Sequence, residues 1–208
     1  MQPAQAEALA NMGVSLLGLN FYRPSPRYVS PELGLELAEA WGRQSSLVGL
    51  FVNSTPEEIF KIHEQVGFGL VQLHGEEPVE IISEVAEKLP TIRAYRIKNS
   101  ESLATARNDV ETLRSMGVSL HAALIDGYST AAHGGTGASV DRQLVESAID
   151  IHPKLMLAGG LSPANLAERL GWIRPWAIAV ASGVETEPGV KDLSAVKAML
   201  RIISETSN

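Results

Sequence analysis

Asp126 is the first candidate for chemistry in this sequence, because it ends the apolar run Ala122 to Asp126 and precedes a glycine. A carboxyl group at the end of a buried strand is partly removed from water, which favours its protonated form and suits a general acid. The pair Asp126-Gly127 is also typical of a simple turn. The long glycine-containing loop that follows favours the general acid, because its backbone N–H groups can approach an anion closely.

Basic side chains follow three other apolar runs. Arg23 and Arg27 lie in FYRPSPRYVSP, where prolines stiffen the loop and a fixed guanidinium can bind a carboxylate through two bonds. His74 lies in VQLHGEE and Arg96 in AYRIKN, each near the end of its run. The alternative interpretations are a surface arginine and a histidine that caps the next helix. Side-chain alternation does not decide whether Gln72 and Arg96 point inward.

Glycine-rich loops predict a phosphate site. The loops HGGTG, LAGGLSPANL and ASGVE each place small residues where backbone N–H groups can reach an anion. Any one of them is equally typical of a tight turn, but the set favours phosphate, which barrel enzymes often hold in loops after their last strands. The predicted phosphate-binding residues are Gly135, Thr136, Gly137, Gly159, Gly160, Ser182 and Gly183.

These residues need a scaffold, and strand–helix alternation along the chain supplies it. The predicted strands are Leu16 to Phe21, Leu47 to Val52, Gly69 to Leu73, Ile92 to Ile97, Ala122 to Asp126, Lys154 to Ala158 and Trp176 to Ala181. The predicted helices are Ala4 to Met12, Pro31 to Trp41, Ile59 to Val66, Pro78 to Leu89, Ser100 to Met116, Asp141 to Ile151, Pro163 to Leu170 and Leu193 to Ile203.

This alternation predicts an α/β fold, and the number of units favours a (βα)8 TIM barrel over an open sheet. Polar and glycine residues gather after the strands, where barrel chemistry lies. We expect one domain over residues 1–208 that lacks the first β-strand, because a helix precedes the first predicted strand. Without that strand, the first and last predicted strands each have an unpaired edge.

Composition and charge exclude several classes of function. The 208 residues are 45% apolar and 20% charged, which is enough apolar material for one core. The formal net charge of −7 argues against a nucleic-acid or membrane partner. The chain has no cysteine, no metal-ligand spacing and no dinucleotide or P-loop motif, so we expect neither metal nor cofactor. No secretory signal or spanning segment is visible, which favours the cytoplasm.

The ordered motifs resemble those of the phosphoribosylanthranilate isomerase family of tryptophan biosynthesis. They are SPRYVSP, GLFVN, VQLHGEE, HGGTG, LAGGLSPANL, ASGVE and PGVKD, and the resemblance runs from Gln2 to about Ile203. It implies a (βα)8 barrel that converts N-(5′-phosphoribosyl)anthranilate into 1-(o-carboxyphenylamino)-1-deoxyribulose 5-phosphate by an Amadori rearrangement, without a cofactor. It also implies that Asp126 is the general acid, that Arg27 holds the anthranilate carboxylate, and that the glycine loops bind the phosphate. His74 and Arg96 are further substrate-binding candidates.

Two departures from the family pattern bear on activity. The resemblance implies a cysteine general base on a first strand, and the chain has neither. Ala179 and Ala181 stand where the family usually has aspartate and serine. We expect the sequence to be incomplete at its start, with Met1 internal to the natural chain. The alternatives are a non-catalytic remnant that binds a phosphosugar or a partner, and an isomerase for another substrate with His74 or another residue at the mouth as base. A monomer or a homodimer is expected.

Overall fold

A computed structural model describes residues 1–42, 46–127 and 142–206 of the chain. At the centre of the fold is a parallel sheet of seven strands, which lie side by side in the order in which they occur in the sequence. Its strands are β1 (Leu17–Asn20), β2 (Leu47–Phe51), β3 (Leu70–Leu73), β4 (Thr91–Ile97), β5 (Ala122–Gly127), β6 (Leu155–Ala158) and β7 (Ala177–Ile178). The helices are α1 (Pro3–Asn11), α2 (Pro31–Trp41), α3 (Pro56–Val66), α4 (Val79–Lys88), α5 (Ser100–Ser115), α6 (Arg142–Ser147), α7 (Leu166–Trp172) and α8 (Leu193–Thr206). A short antiparallel pair, β8 (Glu185–Glu187) and β9 (Val190–Lys191), follows β7.

Alternate side chains of the sheet enter two different apolar layers, because successive residues of a strand point to opposite faces. The buried members of the inner layer are Val48, Leu70, Ile92, Ala94, Ala122, Leu124, Met156 and Ala158. The residues between them pack with the helices in a larger outer core. A parallel sheet with both faces covered explains why its strands read as nearly continuous apolar runs. The curled sheet with helices around it confirms the predicted barrel-type α/β fold.

The helix starts follow local capping chemistry at most positions. The Ser30 hydroxyl accepts from the N–H of Leu33, with proline at the first turn of α2, as the sequence predicts. The start of α7 is different from the predicted start at Pro163. The Asn165 side chain accepts from the Ser162 N–H at 2.9 Å and donates to the Gly160 carbonyl at 2.9 Å. These bonds hold a turn, so α7 begins only at Leu166.

The curled sheet has an open seam between β1 and β7. Within the described ranges, neither strand pairs with a second strand of the sheet, which confirms the predicted unpaired edges. The following loop covers part of the β1 edge, because the Val29 N–H donates to the Asn20 carbonyl at 2.8 Å. β7 has only two residues, whereas the sequence predicts a strand from Trp176 to Ala181. With a ladder on one side only, the local strand preference of this run is not enough to extend it.

Three phenylalanines join β1, β2 and β3 in the outer core. The ring centroid of Phe21 lies 5.3 Å from that of Phe51 and 5.9 Å from that of Phe68. The Phe51 and Phe68 centroids are 5.7 Å apart. Offset and tilted pairs at these separations add attraction to the area that they bury. The cluster therefore fixes the position of β1, whose other edge is at the seam.

We expect Phe68→Ala to lower the free energy of unfolding by about 3–5 kcal/mol, because it removes a large ring from a fully buried site and leaves a cavity. Urea unfolding followed by circular dichroism measures the change. Tyr22→Ala is the control, since Tyr22 is 38% exposed and its loss should change stability by less than about 0.5 kcal/mol. Equal effects of the two changes would contradict this account of the cluster.

Candidate functional site

Three sequence-predicted polar residues meet at the carboxyl ends of β3, β4 and β5. Leu124 belongs to the inner layer, so Asp126, two residues further along β5, points to the same side at the mouth of the curled sheet. Arg96 lies directly opposite Asp126 in the parallel register. His74 follows β3, and its imidazole Nε2 lies 3.5 Å from Asp126 Oδ2. The Asp126 side chain is one-third exposed, so solvent and small molecules can reach it.

A buried glutamine fixes the state of His74. The amide Nε2 of Gln72 lies 2.8 Å from His74 Nδ1. An amide nitrogen only donates, so Nδ1 accepts and the neutral imidazole carries its proton on Nε2, towards Asp126. Gln72 is buried and points inward, which answers the question that the sequence leaves open. His74 is not a helix cap, since α4 starts after Pro78.

Arg96 is the most exposed member of this group. Its Nη2 donates to the carbonyl of His74 at 3.4 Å, across the ends of β3 and β4. A guanidinium at this place adds positive charge beside Asp126 and leaves further N–H donors for a ligand. The Arg96 side chain therefore points to the same side of the sheet as Asp126 and faces the mouth.

Only part of the Arg27 guanidinium is available to a ligand, because the rest of it binds Glu185. Its Nε and Nη2 donate to Glu185 Oε2 at 2.8 and 2.7 Å. Lys191 Nζ lies 2.9 Å from the other oxygen, Oε1. Two cations surround one carboxylate, so the trio keeps one net positive charge. Burial is the largest single influence on the Glu185 carboxyl and raises its pKa, but the hydrogen bonds and the positive charges of Arg27 and Lys191 together outweigh it and lower the pKa below the ordinary 4.5.

This ion trio bridges the open seam at the mouth. Arg27 lies in the loop after β1, whereas Glu185 and Lys191 lie in the β8–β9 pair after β7. Gln5 of α1 adds a hydrogen bond from its amide to the Lys191 carbonyl at 3.0 Å. The seam is therefore held at one end by side chains and not by a backbone ladder.

Two of the three predicted phosphate loops come together next to Asp126. Gly159 has φ of +95°, and a Cβ there would meet the Gly127 carbonyl at 2.5 Å and Asp126 Oδ1 at 2.8 Å. A Cβ on Gly183 would overlap the carbonyl of Leu161. Glycine is thus required for the loops after β6 and β7 to approach each other and Asp126.

The other members of these loops are Gly160, which has φ of +61°, and Ser182, which opens a 3-10 turn that ends at Val184. The third predicted loop, with Gly135, Thr136 and Gly137, lies outside the described residues. Ala179 contacts the inner apolar layer, and Ala181 is exposed. The site thus has apolar walls below a polar rim.

Several residues of the site were not singled out in the sequence. Glu185 is the last residue of ASGVE and Lys191 lies in PGVKD, but nothing local to those motifs indicates a partner in the β1 loop. Glu77 and Arg93 form a buried pair under His74, at 2.5 Å. No group of three or more His, Asp or Glu side chains in the described ranges is arranged to hold a metal. None of the described helices is both long and apolar enough to cross a membrane.

Comparisons with known proteins agree with this geometry. The family model for N-(5′-phosphoribosyl)anthranilate (PRA) isomerase matches residues 1–201. An N-(5′-phosphoribosyl)anthranilate isomerase from Ralstonia pickettii is 34% identical over 211 residues, which cover 98% of this chain and 89% of the relative. The enzyme of the same name from Myxococcus xanthus is 37% identical, over 95% of this chain and 90% of the relative.

Solved structures give the same result. Phosphoribosyl anthranilate isomerase from Thermotoga maritima has a TM-score of 0.82 at 32% identity, over 97% of this chain and 93% of that chain. A second crystal structure of such an isomerase, in complex with reduced 1-(o-carboxyphenylamino)-1-deoxyribulose 5-phosphate, has a TM-score of 0.79 at 30% identity, over 97% and 92% of the two chains.

The ion trio of Arg27, Glu185 and Lys191 makes the free energy of unfolding depend on pH. The folded pKa of Glu185 is depressed, so its contribution is complete above its unfolded pKa and is lost as the pH falls through the folded value. We expect Glu185→Gln to cost about 3 kcal/mol at pH 7, because it leaves two cations without their carboxylate, and to cost less in acid. Urea unfolding at several pH values measures this. Glu146→Gln, which breaks an exposed pair with Arg142, is the control and should cost under about 1 kcal/mol.

Proposed function

Because this chain belongs to the N-(5′-phosphoribosyl)anthranilate isomerase family, we propose that it catalyses the Amadori rearrangement of tryptophan biosynthesis. The substrate is N-(5′-phosphoribosyl)anthranilate and the product is 1-(o-carboxyphenylamino)-1-deoxyribulose 5-phosphate. The observation that carries the proposal is Asp126 at the end of β5, in contact with His74 and with the glycine turn at Gly159 packed against it. An acid and an anion-binding turn are thus neighbours, as a phosphosugar isomerase requires.

Asp126 is the proposed general acid. Its proton goes to the ring oxygen of the ribose while the C1–O bond breaks, and the lone pair of the anthranilate nitrogen forms the C=N bond of a Schiff base. Removal of the C2 proton then gives an enolamine, which becomes the ketose when C1 is protonated and the C2 hydroxyl gives up its proton to form the C2=O bond. In the tautomer with its proton on Nε2, the His74 ring donates towards Asp126 and accepts from Gln72, so neither ring nitrogen is free to accept the C2 proton.

The remaining site residues have binding roles in this proposal. Arg27 binds the anthranilate carboxylate with donors that Glu185 does not use, and the net positive charge of the trio favours that anion. Arg96 and His74 line the sugar-binding part of the mouth. Gly159, Gly160, Ser182 and Gly183 bind the phosphate, and the family motif assigns the same role to Gly135, Thr136 and Gly137, which lie outside the described residues. The same family includes a dimeric Thermotoga maritima enzyme, and we expect a monomer or a homodimer here.

A second function follows from one observation, the absence of cysteine from the chain. If no other group takes the C2 proton, the protein is a non-catalytic phosphosugar-binding or partner-binding member of the family. Expression in a tryptophan auxotroph that lacks the isomerase separates the two. Growth without tryptophan supports the isomerase, whereas a folded chain that binds the reduced product without supporting growth supports the binding protein.

We expect Asp126→Asn to lower kcat by about 10²- to 10⁴-fold, because asparagine keeps the size of the side chain but cannot donate the acid proton. A coupled assay of purified protein, with circular dichroism to check folding, gives the result. Asp150→Asn is the matched control, because Asp150 lies at the surface and pairs with Arg107 away from the mouth. Near-normal turnover by the Asp126 variant would remove this residue from the acid role.

We expect Arg27→Ala to raise KM by about 10- to 100-fold with a smaller effect on kcat, because a hydrogen bond to a charged group is worth about 1.5–3 kcal/mol. Steady-state kinetics over a range of substrate concentrations separates the two constants. Arg23→Ala in the same loop is the control, since Arg23 is exposed. A KM that is the same in both variants would show that Arg27 does not bind the carboxylate.

A further inference from the structure

We propose that the buried Glu77–Arg93 pair is a positioning device for the site, which fixes the backbone on both sides of His74 and thereby orients its imidazole against Asp126. The inference concerns the same site as the proposed function and rests on it for the catalytic consequence. The structural part, the orientation of the His74 ring, can be measured without turnover.

Glu77 is a buried carboxylate that binds backbone. It follows His74 by three residues, and its side chain is 1% exposed. Both of its oxygens accept from the Gly75 N–H at 3.0 Å, and Oε1 also accepts from the Asn53 N–H at 2.9 Å. One side chain thus joins the loop after β3 to the loop after β2.

Arg93 completes the arrangement from β4. Its Nη1 donates to Glu77 Oε2 at 2.5 Å, to the Gly75 carbonyl at 3.2 Å and, more weakly, to the Leu73 carbonyl at 3.4 Å. Leu73 and Gly75 are the two neighbours of His74 in the chain. The N–H and the carbonyl of Gly75 are both bound, and the carbonyl before His74 is bound as well.

Gly75 lies where the loop has no room for a side chain. A Cβ at this position would meet the Asn53 N and Glu77 Oε1, each at 2.7 Å. Asn53 itself has φ of +54°, rare for a residue other than glycine, and its side chain accepts from the Glu76 N–H at 2.7 Å. The backbone beside His74 is therefore closely packed and fully bonded, and the imidazole is the part that reaches the mouth.

A buried ion pair is a poor way to gain stability, because apolar side chains of similar volume often stabilise as well or better. The pair is also incompletely satisfied, since the buried Nε of Arg93 finds no hydrogen-bond partner among the residues that the structure describes and lies 3.8 Å from Asp109 Oδ2. An apolar pair could not make the directional hydrogen bonds that Glu77 and Arg93 make to the backbone of the loop. Positioning of His74 accounts for those bonds.

The test compares Glu77→Gln with Asp109→Asn. Both remove a carboxylate beside Arg93, but only Glu77 binds the loop, because Asp109 accepts from the Tyr95 hydroxyl at 2.6 Å on the other side. Imidazole ¹⁵N spectra at about pH 9, well above the ordinary histidine pKa of about 6.5, report the tautomer. His74→Ala assigns the signals. For the parent and for Asp109→Asn we expect a proton on Nε2 only, and for Glu77→Gln a mixture of both tautomers.

The kinetic result should follow the same order. We expect Glu77→Gln to lower kcat by about 10- to 100-fold with KM changed less than about twofold, because a small displacement of a site group slows the chemical step. Asp109→Asn should leave both constants within about twofold. If Glu77→Gln does not fold, Arg93→Lys makes the same test, because lysine keeps the charge but cannot reproduce the guanidinium contacts to the two carbonyls.

The outcomes separate the two proposals. A parent chain without turnover defeats the proposed function, and the ¹⁵N spectra still decide the positioning role. A parent that turns over, with Glu77→Gln unchanged in kcat and tautomer, overturns the positioning role and leaves the proposed function intact. Equal changes in Glu77→Gln and Asp109→Asn would also overturn it, because the pair would then be only structural.

Discussion

The Glu185 carboxylate holds the two ends of the curled sheet together at the mouth. The sheet has a backbone ladder between every pair of neighbouring strands but none between β1 and β7 in the described part of the chain. Arg27 comes from one side of this seam and Lys191 from the other, and both bind Glu185. The link matters for the proposed site, because Arg27 can take its proposed role in binding a carboxylate only if it stays at the mouth.

The fold and part of the site could be predicted because they depend on short-range patterns. The two-residue period of the strands places Asp126 on the same side as Leu124, and the apolar runs themselves show which strands are buried on both faces. Ser30 before Pro31 predicts the start of α2 correctly, because a cap acts within one turn. Gly159 is also a local signal, since it follows directly from the end of β6, whereas Gly183 lies in the 3-10 turn beyond β7.

The rest depends on partners that the local sequence does not identify. The run from Trp176 to Ala181 has the composition of a strand, but a strand's length is set by its neighbours, and β7 stops after Ile178. Arg27 could be assigned a ligand but not the protein carboxylate that already binds it. The Glu77–Arg93 pair is hidden for the same reason, because an acidic residue in a loop and an arginine in a strand are each ordinary alone.

The residues that bridge the seam are far apart in the sequence. This separation affects the order in which the parts of the fold can form. Strands that are consecutive in sequence are also neighbours in the sheet, so the ladders can form progressively with short loop closures. Arg27 and Glu185 are 158 positions apart, and their contact requires almost the entire chain to be in place. We therefore expect this contact to form at the last stage of folding, so that the end of the mouth at Arg27 is assembled after the ladders on both sides of β5. A chain still being synthesised would carry the proposed acid, Asp126, before it carried Glu185, the residue that holds Arg27 at the mouth.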